Sequence, residues 1–349
     1  MTGNLTIALD AMGGDQAPDM VIGGAALARE RFPELDFLVF GDEARVRPAI
    51  DGHPGLAEAV ELRHTSEFVT GEAKPSQALR SGRQSSMRLA IDAVRDGEAS
   101  AVVSAGNTGA LMAMSKIVLR TLPGIDRPAM VSWFPSVRGE VVMLDLGANI
   151  DCNSSNLVQF AVMGAMFARA VQGLVEPSVG LLNVGEEELK GNDAVKAAHG
   201  ILRDAALPIR FHGFVEGDDI AAGTVDVVVT DGFTGNVALK TTEGMSRLYQ
   251  NFLRETFASS LAARIGYLFA RGALDRLRVR TDPRRYNGAV FVGLNGVSVK
   301  SHGRTDALGF ATAVGVARDL AVNGFIDRIR EELETLDSAI GDDDRQAVS

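Results

Sequence analysis

Two runs in this chain, VVSAGNTGALMA (102–113) and VVVTDGFTGNVALK (227–240), are built alike. Each is a Val-rich stretch ending in a Gly/Asn/Thr turn that leads directly into a helix-compatible segment. Such a turn leaves unpaired backbone N–H groups at a helix start beside small polar side chains, which suits a phosphate-like anion. The candidate anion ligands are Gly106, Asn107, Thr108 and Gly109 in the first turn, and Asp231, Thr234 and Asn236 in the second. A third turn, LTIALDAMGGD (5–15), ends a strand at Asp10, and Gly13 and Gly14 allow close backbone approach to a ligand.

Further polar clusters lie between these turns. In LLNVGEEELKGNDAV (181–195), Asn183, Glu186, Lys190 and Asn192 can converge at the carboxyl end of a strand, where α/β folds bind ligands. Lys190 offers an ammonium for a phosphate or a developing oxyanion. The alternative is an acidic first helical turn complementing the helix dipole, with Lys190 solvated. In NGVSVKSHG (295–303), Lys300 and His302 stand in a Gly-flanked loop, and His302 can move protons near neutral pH. DLGANIDCNSS (145–155) contributes Asn149; its Cys152 follows Asp151, which disfavours a thiolate, so it reads as incidental.

The absences narrow the chemistry. There is no G-x-x-x-x-G-K-[ST], no G-x-G-x-x-G after the first strand and no G-x-S-x-G. The five histidines have no metal-like spacing, so metal-free chemistry without a cofactor is expected. A net charge of −10 and a single tryptophan, Trp133, argue against nucleic-acid binding. One cysteine excludes an intrachain disulfide. With no signal-like leader and no apolar run of about 18 residues, a cytoplasmic protein is expected.

The elements that must position these groups alternate. Strands are predicted at 5–9, 35–40, 100–105, 129–134, 140–146, 178–184, 226–230 and 289–294, with helices at 18–31, 75–96, 108–119, 154–172, 190–206, 235–259 and 305–333. Uniformly apolar strands alternating with helices imply a doubly wound α/β fold, and the close spacing of 129–134 and 140–146 adds an antiparallel hairpin, making the sheet mixed. No linker divides the chain, so one domain over 1–335 is expected, followed by an acidic disordered tail at 336–349. The segment 251–285 is the basic exception. It sets apolar residues, Leu268 and Phe269 among them, at helical spacing beside Arg264, Arg271 and Arg276. It reads as a core or dimer-interface helix, a membrane-surface hairpin whose tip IGYLFARGAL (265–274) is hinged by Gly266 and Gly272, or a dock for an acidic protein.

Taken together, ALDAMGGDQAP, KPSQALRSGRQSSM (74–87), SAGNTGALMA, DLGANID, LLNVGEEELKGN, FVEGDDI (214–220), TDGFTGNVALKTTEG and YNGAVFVGLNGVSVKSHG (286–303) closely resemble the bacterial phosphate acyltransferase family. The resemblance implies a three-layer α/β/α fold similar to isocitrate/isopropylmalate dehydrogenases and phosphotransacetylases, with a protruding helical hairpin at about 250–285. It implies transfer of a long-chain acyl group from acyl carrier protein to inorganic phosphate, and the acyl phosphate would feed a membrane glycerol-3-phosphate acyltransferase in phospholipid synthesis. It further implies a homodimer associated peripherally with the inner face of the cell membrane. The family's active-site lysine and asparagine fall on Lys190 and Asn236. Phosphate would then be the nucleophile, with Lys190 and Asn236 holding it or the oxyanion, His302 assisting proton transfer, and the Arg-rich face docking the acidic carrier. An acyl-CoA:phosphate transferase and a non-catalytic carrier-binding membrane scaffold are the alternatives.

Overall fold

Eleven strands hydrogen-bond into one sheet in the computed structural model, which describes residues 5–205, 207 and 209–331. The strands are β1 Leu5–Asp10, β2 Leu35–Gly41, β3 Val60–His64, β4 Ala101–Ser104, β5 Ala129–Ser136, β6 Gly139–Leu144, β7 Ser178–Leu182, β8 Arg210–Val215, β9 Val227–Val229, β10 Ala289–Val292 and β11 Val297–Lys300. The helices are α1 Asp19–Arg31, α2 Glu43–Asp51, α3 Pro75–Ser81, α4 Ser86–Arg95, α5 Thr108–Leu119, α6 Ser154–Gln172, α7 Asp193–Asp204, α8 Gly217–Ala222, α9 Gly232–Ala258, α10 Leu261–Arg280 and α11 Ala307–Val322. The strand order is β3-β2-β1-β4-β11-β10-β5-β6-β9-β7-β8.

Alternation along each strand splits the core between two faces. Ile7, Leu9, Phe37 and Val39 pack with α1, α6, α7 and α11, whereas Ala8, Leu38 and Phe40 pack with α4 and α5. Helices on both faces of a mixed sheet make the expected three-layer α/β/α architecture.

Strand β5 joins two parallel sets. Its first residues pair with β10 (Ala129↔Val292, Val131↔Val290) and its later ones with β6 (Ser132↔Met143 to Ser136↔Gly139), antiparallel in both cases. β3, β2, β1, β4 and β11 form one parallel set, and β6, β9, β7 and β8 form the other. β11 ends at Lys300, opposite Ala289, next to the Val290↔Val131 pair; β6 ends at Leu144, next to the Met143↔Ser132 pair. The carboxyl ends of both sets therefore meet near the middle of β5, and the loops that leave them share one cleft.

Several elements differ from the sequence expectation. β3 and β8 lie at the two sheet edges and carry charged, half-exposed residues instead of an apolar run. β11 is central, but its four residues sit inside a Gly-flanked stretch that reads as loop. The segment 75–96 is two helices separated at Gly82, and 305–333 is interrupted at Asn323–Gly324 before residues 325–331 resume as helix. The helix expected from 190 starts at Asp193, because the Asn192 side chain accepts from the Val195 amide and caps it. The expected tail at 336–349 lies outside the described residues.

The hairpin is larger than expected, comprising all of α9 and α10, and its turn is at Ser259–Ser260. The tip predicted at 265–274 is corrected: Gly266 and Gly272 lie within one continuous helix, where the Ser260 cap on the Ala263 amide starts α10 ahead of both.

Gly235 ties α9 to the sheet. A Cβ there would lie 1.9 Å from the Asp145 carbonyl oxygen, so no other residue lets this helix start so close to β6. Gly244, on the same helix, has nothing within 4 Å of such a Cβ. Gly235→Ala is accordingly expected to cost about 1–3 kcal/mol, and Gly244→Ala to add about 0.5–1 kcal/mol of stability, both read from urea midpoints. Equal midpoint shifts would contradict this packing.

Candidate active site

Each half of the site is built around a buried aspartate. Asp10 ends β1 and is 1 % exposed. The Ser86 hydroxyl donates to its Oδ1 at 2.6 Å, the Ser104 hydroxyl to its Oδ2 at 2.7 Å, and the Met12 amide to Oδ1 at 3.3 Å. Burial pushes its carboxyl above the usual range, and these hydrogen bonds pull it back. Ser104 also accepts from the Gly106 amide at 3.0 Å. Asn107 caps α5 by accepting from Ala110 at 2.9 Å and donates to the Gly71 carbonyl at 2.6 Å. Gly13 must lack a side chain, since a Cβ would stand 2.6 Å from both Asp10 Oδ2 and the Gly106 nitrogen.

In the other half Asp145, fully buried, follows β6. Its Oδ1 accepts from the amides of Met130 (2.9 Å), Ala148 (3.0 Å) and Gly147 (3.2 Å), and its Oδ2 from the Asn149 amide (2.6 Å) and side chain (2.9 Å). Burial again raises the carboxyl against its donors. The Asn149 carbonyl accepts from the Gly232 amide at 2.7 Å, which seats the first turn of α9. Asp231 caps that helix, accepting from the Thr234 amide at 2.8 Å and hydroxyl at 2.7 Å. Asn236 is exposed on the next turn, over Gly147. Cys152 is half-buried below, and burial followed by the Asp145 charge pushes its thiol up to about 11, so it offers no thiolate.

The third component is the end of β11. Asn287, buried, donates to the Ser301 hydroxyl at 2.9 Å and the Gly309 carbonyl at 2.7 Å, and accepts from the His302 amide at 2.9 Å. Lys300 Nζ donates to the carbonyls of Ser301 and Ala105. Burial, with Lys240 repelling and Asp10 and Asp15 attracting, brings its ammonium down to about 8. His302 Nε2 lies 2.9 Å from Glu243 Oε1 on α9. Lys240 Nζ is 3.1 Å from Glu243 Oε2, and Arg247 Nη2 is 3.5 Å away. The His302 hydrogen bond first, then Lys240, hold the Glu243 carboxyl near 2 against its partial burial.

These components face a single cleft of about 2290 Å³. Of the residues singled out from sequence, Gly14, Gly106, Asn107, Thr108, Asn236, Lys300 and His302 line it. Lys240 and Glu243 also line it and were missed by sequence reading. Their signal was helical spacing: residues 236, 240, 243 and 247 fall on one face of α9. Other candidates are placed elsewhere. Asp10, Gly13 and Asn149 sit behind the wall, buried or packed on its scaffold; Gly109 packs on Pro75; Asp231 and Thr234 are occupied with each other at the α9 start. The Gly106 amide, expected to cradle an anion, is taken by Ser104. Lys190 and Glu186 are exposed in the loop between β7 and α7, where Asn183 donates to the Lys190 carbonyl at 3.2 Å, and none of the three lines the cleft.

Away from this polar end the cleft runs along α9 and α10, lined by Leu239, Tyr249, Leu253, Phe257, Ile265 and Leu268. Of the hairpin residues singled out from sequence, Arg264 and Leu268 line it, whereas Phe269, 88 % exposed, Arg271 and Arg276 lie outside it. Among the described residues no helix is long and apolar enough to cross a membrane, and no three His, Cys, Asp or Glu side chains group as a metal site.

The sequence matches the profile of a family described as fatty acid synthesis protein over residues 5–328. It is 64 % identical over 340 residues to a protein named phosphate acyltransferase from Rhodospirillum centenum, covering 97 % of this chain and 96 % of that one. A protein of the same name from Paramagnetospirillum magneticum is 63 % identical over 339 residues, 97 % of each chain. In fold, the chain is similar to a phosphotransacetylase from Streptococcus pyogenes (TM-score 0.59, 17 % identity, 91 % of this chain and 94 % of that one). It is also similar to a branched-chain phosphotransacylase from Enterococcus faecalis V583 (0.56, 15 %, 91 % and 99 %).

The depressed Lys300 ammonium has a direct consequence. Its charged form is disfavoured in the folded state, so the cost is fully present below about pH 8 and fades as pH rises toward the ordinary lysine value. Nitrogen-15 NMR of the lysine side chains should show one Nζ titrating near 8 that is lost in Lys300→Met. That variant should gain stability over wild type at pH 7 and lose the advantage by about pH 11. A single lysine midpoint near 10.5 would contradict the assignment.

Proposed function

The chain belongs to the phosphate acyltransferase family, described as fatty acid synthesis proteins, and from that premise we propose that it moves a long-chain acyl group from acyl carrier protein to inorganic phosphate. It is an acyltransferase of lipid synthesis. The observation that carries the finer reading is the continuity of the cleft: Asn236, Lys240, Lys300 and His302 at one end, an apolar wall of α9 and α10 at the other. Cations and an amide suit phosphate and the oxyanion of a tetrahedral intermediate. The apolar wall suits an extended acyl chain, whose burial contributes about 0.8 kcal/mol per methylene. The acyl phosphate product fits a membrane glycerol-3-phosphate acyltransferase as its consumer.

In this reading phosphate is held by Lys240 and Lys300 beside the thioester carbonyl. Attack then needs position and charge stabilisation rather than a serine or cysteine nucleophile. Asn236, which stands over Gly147, donates its side-chain amide to the oxyanion in this reading. Lys190 is assigned to the same chemistry by family resemblance, and such a role requires the 183–192 loop to carry it to the cleft. The exposed Arg271, Arg276 and Phe269 surface of α10 suits the acidic carrier and the inner membrane surface, and we propose a peripherally associated homodimer.

Purified protein given palmitoyl-ACP and phosphate should form acyl phosphate, and palmitoyl-CoA should serve less well. A preference for the CoA thioester would replace the donor. Asn236→Ala and Lys240→Ala should each lower kcat/KM for phosphate by about 100-fold; unchanged kinetics in both would remove the cleft from the chemistry. A loss of the same size in Lys190→Ala would show that its loop reaches the phosphate. Leu268→Glu with Phe269→Glu should weaken pelleting with anionic liposomes, and unchanged pelleting would refute membrane contact through α10.

A further inference from the structure

One group in the cleft has no part in holding phosphate. Glu243 is an anion among groups that would bind an anion, and its side chain is only 17 % exposed. The groups facing it come from two elements, Lys240 and Arg247 on α9 and His302 after β11. Lys300 and Asp15, the latter paired with Arg304 at 3.5 Å, line the same cleft. A carboxylate only accepts hydrogen bonds, so the 2.9 Å contact from His302 Nε2 puts the neutral ring's proton on Nε2. Nδ1 then keeps its lone pair, on a ring half-exposed at the cleft wall. The His302 backbone is itself fixed by Asn287, so the ring is held from both ends.

We infer that Glu243 is a positioning residue that fixes His302 as the proton shuttle of acyl transfer. The inference rests on phosphate being the acyl acceptor. A hydrogen phosphate oxygen attacks the thioester carbon, forming the C–O bond, and its proton passes to His302 Nδ1. The tetrahedral intermediate collapses, the C–S bond breaks with its electron pair on sulfur, and the imidazolium returns that proton to the thiolate. The products are acyl phosphate and a free thiol, with no other reactant consumed. Glu243 holds the ring and stabilises its charged form between the two transfers, as a carboxylate does for any imidazole that must carry charge briefly.

The test compares two acyl donors of the same chain length, an alkyl (pantetheine) thioester and an aryl thioester, whose thiolate leaves without needing a proton. With the alkyl donor, Glu243→Gln is expected to lower kcat by about 100-fold while KM for phosphate changes by less than about threefold. With the aryl donor, which removes the need for the second transfer but not the first, the loss should be at least about threefold smaller. Glu243→Asp should recover most of the alkyl-donor rate. His302→Gln should show the same donor dependence, and the double variant should be no slower than the slower single. Equal losses with both donors, or additive losses in the double variant, would make Glu243 merely structural. No acyl phosphate from wild-type protein with either donor would instead overturn the phosphate reading, and the shuttle with it.

Discussion

A carboxylate removed from water must find its donors in the protein, and two such carboxylates organise this molecule. Asp10 and Asp145 stand at the carboxyl ends of β1 and β6; hydroxyls from Ser86 and Ser104, distant in sequence, serve Asp10, and the amides of the turn that follows it, with that of Met130 on β5, serve Asp145. A hydrogen bond to a charged group contributes about 1.5–3 kcal/mol, and stranding a buried charge costs about 3–5 kcal/mol. The geometry of the turns around both residues is therefore strongly determined. Ser104 and Gly106 follow Asp10; Gly147, Asn149 and through it Gly232 follow Asp145. The reactive surface of the cleft is the outer side of these two buried networks.

The division of labour also explains the local charge. The chain carries −10 overall, yet Lys240, Lys300 and His302 line the cleft, and Arg247 pairs with its Glu243 at 3.5 Å. Lys300 sits deep enough that burial costs it part of its charge, and Asp10 behind it offsets some of that cost. Glu243 answers Lys240 and Arg247 in front. An arriving dianion thus meets concentrated positive charge in a partly desolvated setting, where electrostatic interactions are stronger than in bulk water.

Much of this was legible in the sequence, for identifiable reasons. Val-rich runs with no polar alternation marked the buried strands, and the Gly/Asn/Thr turns after β4 and β9 marked where ligand-facing loops begin. What escaped was whatever sequence distance conceals. VELRH and RFHGFV are edge strands whose half-polar pattern carries no inside signal. Residues that resemble ligands by type, Asp10 and Asn149, turned out to be scaffold, because type does not reveal which side of a turn a carboxylate faces. Conversely, Glu243 reads as a helix-surface residue until β11, some 60 positions later, brings His302 against it.

The placement of β11 between β4 and β10 has a consequence for how the molecule comes into being. A ribosome would release β1 to β4 nearly 200 residues before the strand that completes their edge, and Lys300 and His302 arrive with that strand. Pairings so distant in sequence close large loops and form slowly. The nascent chain must therefore carry an open edge beside β4 until β11 emerges, and the cleft lacks Lys300 and His302 until then.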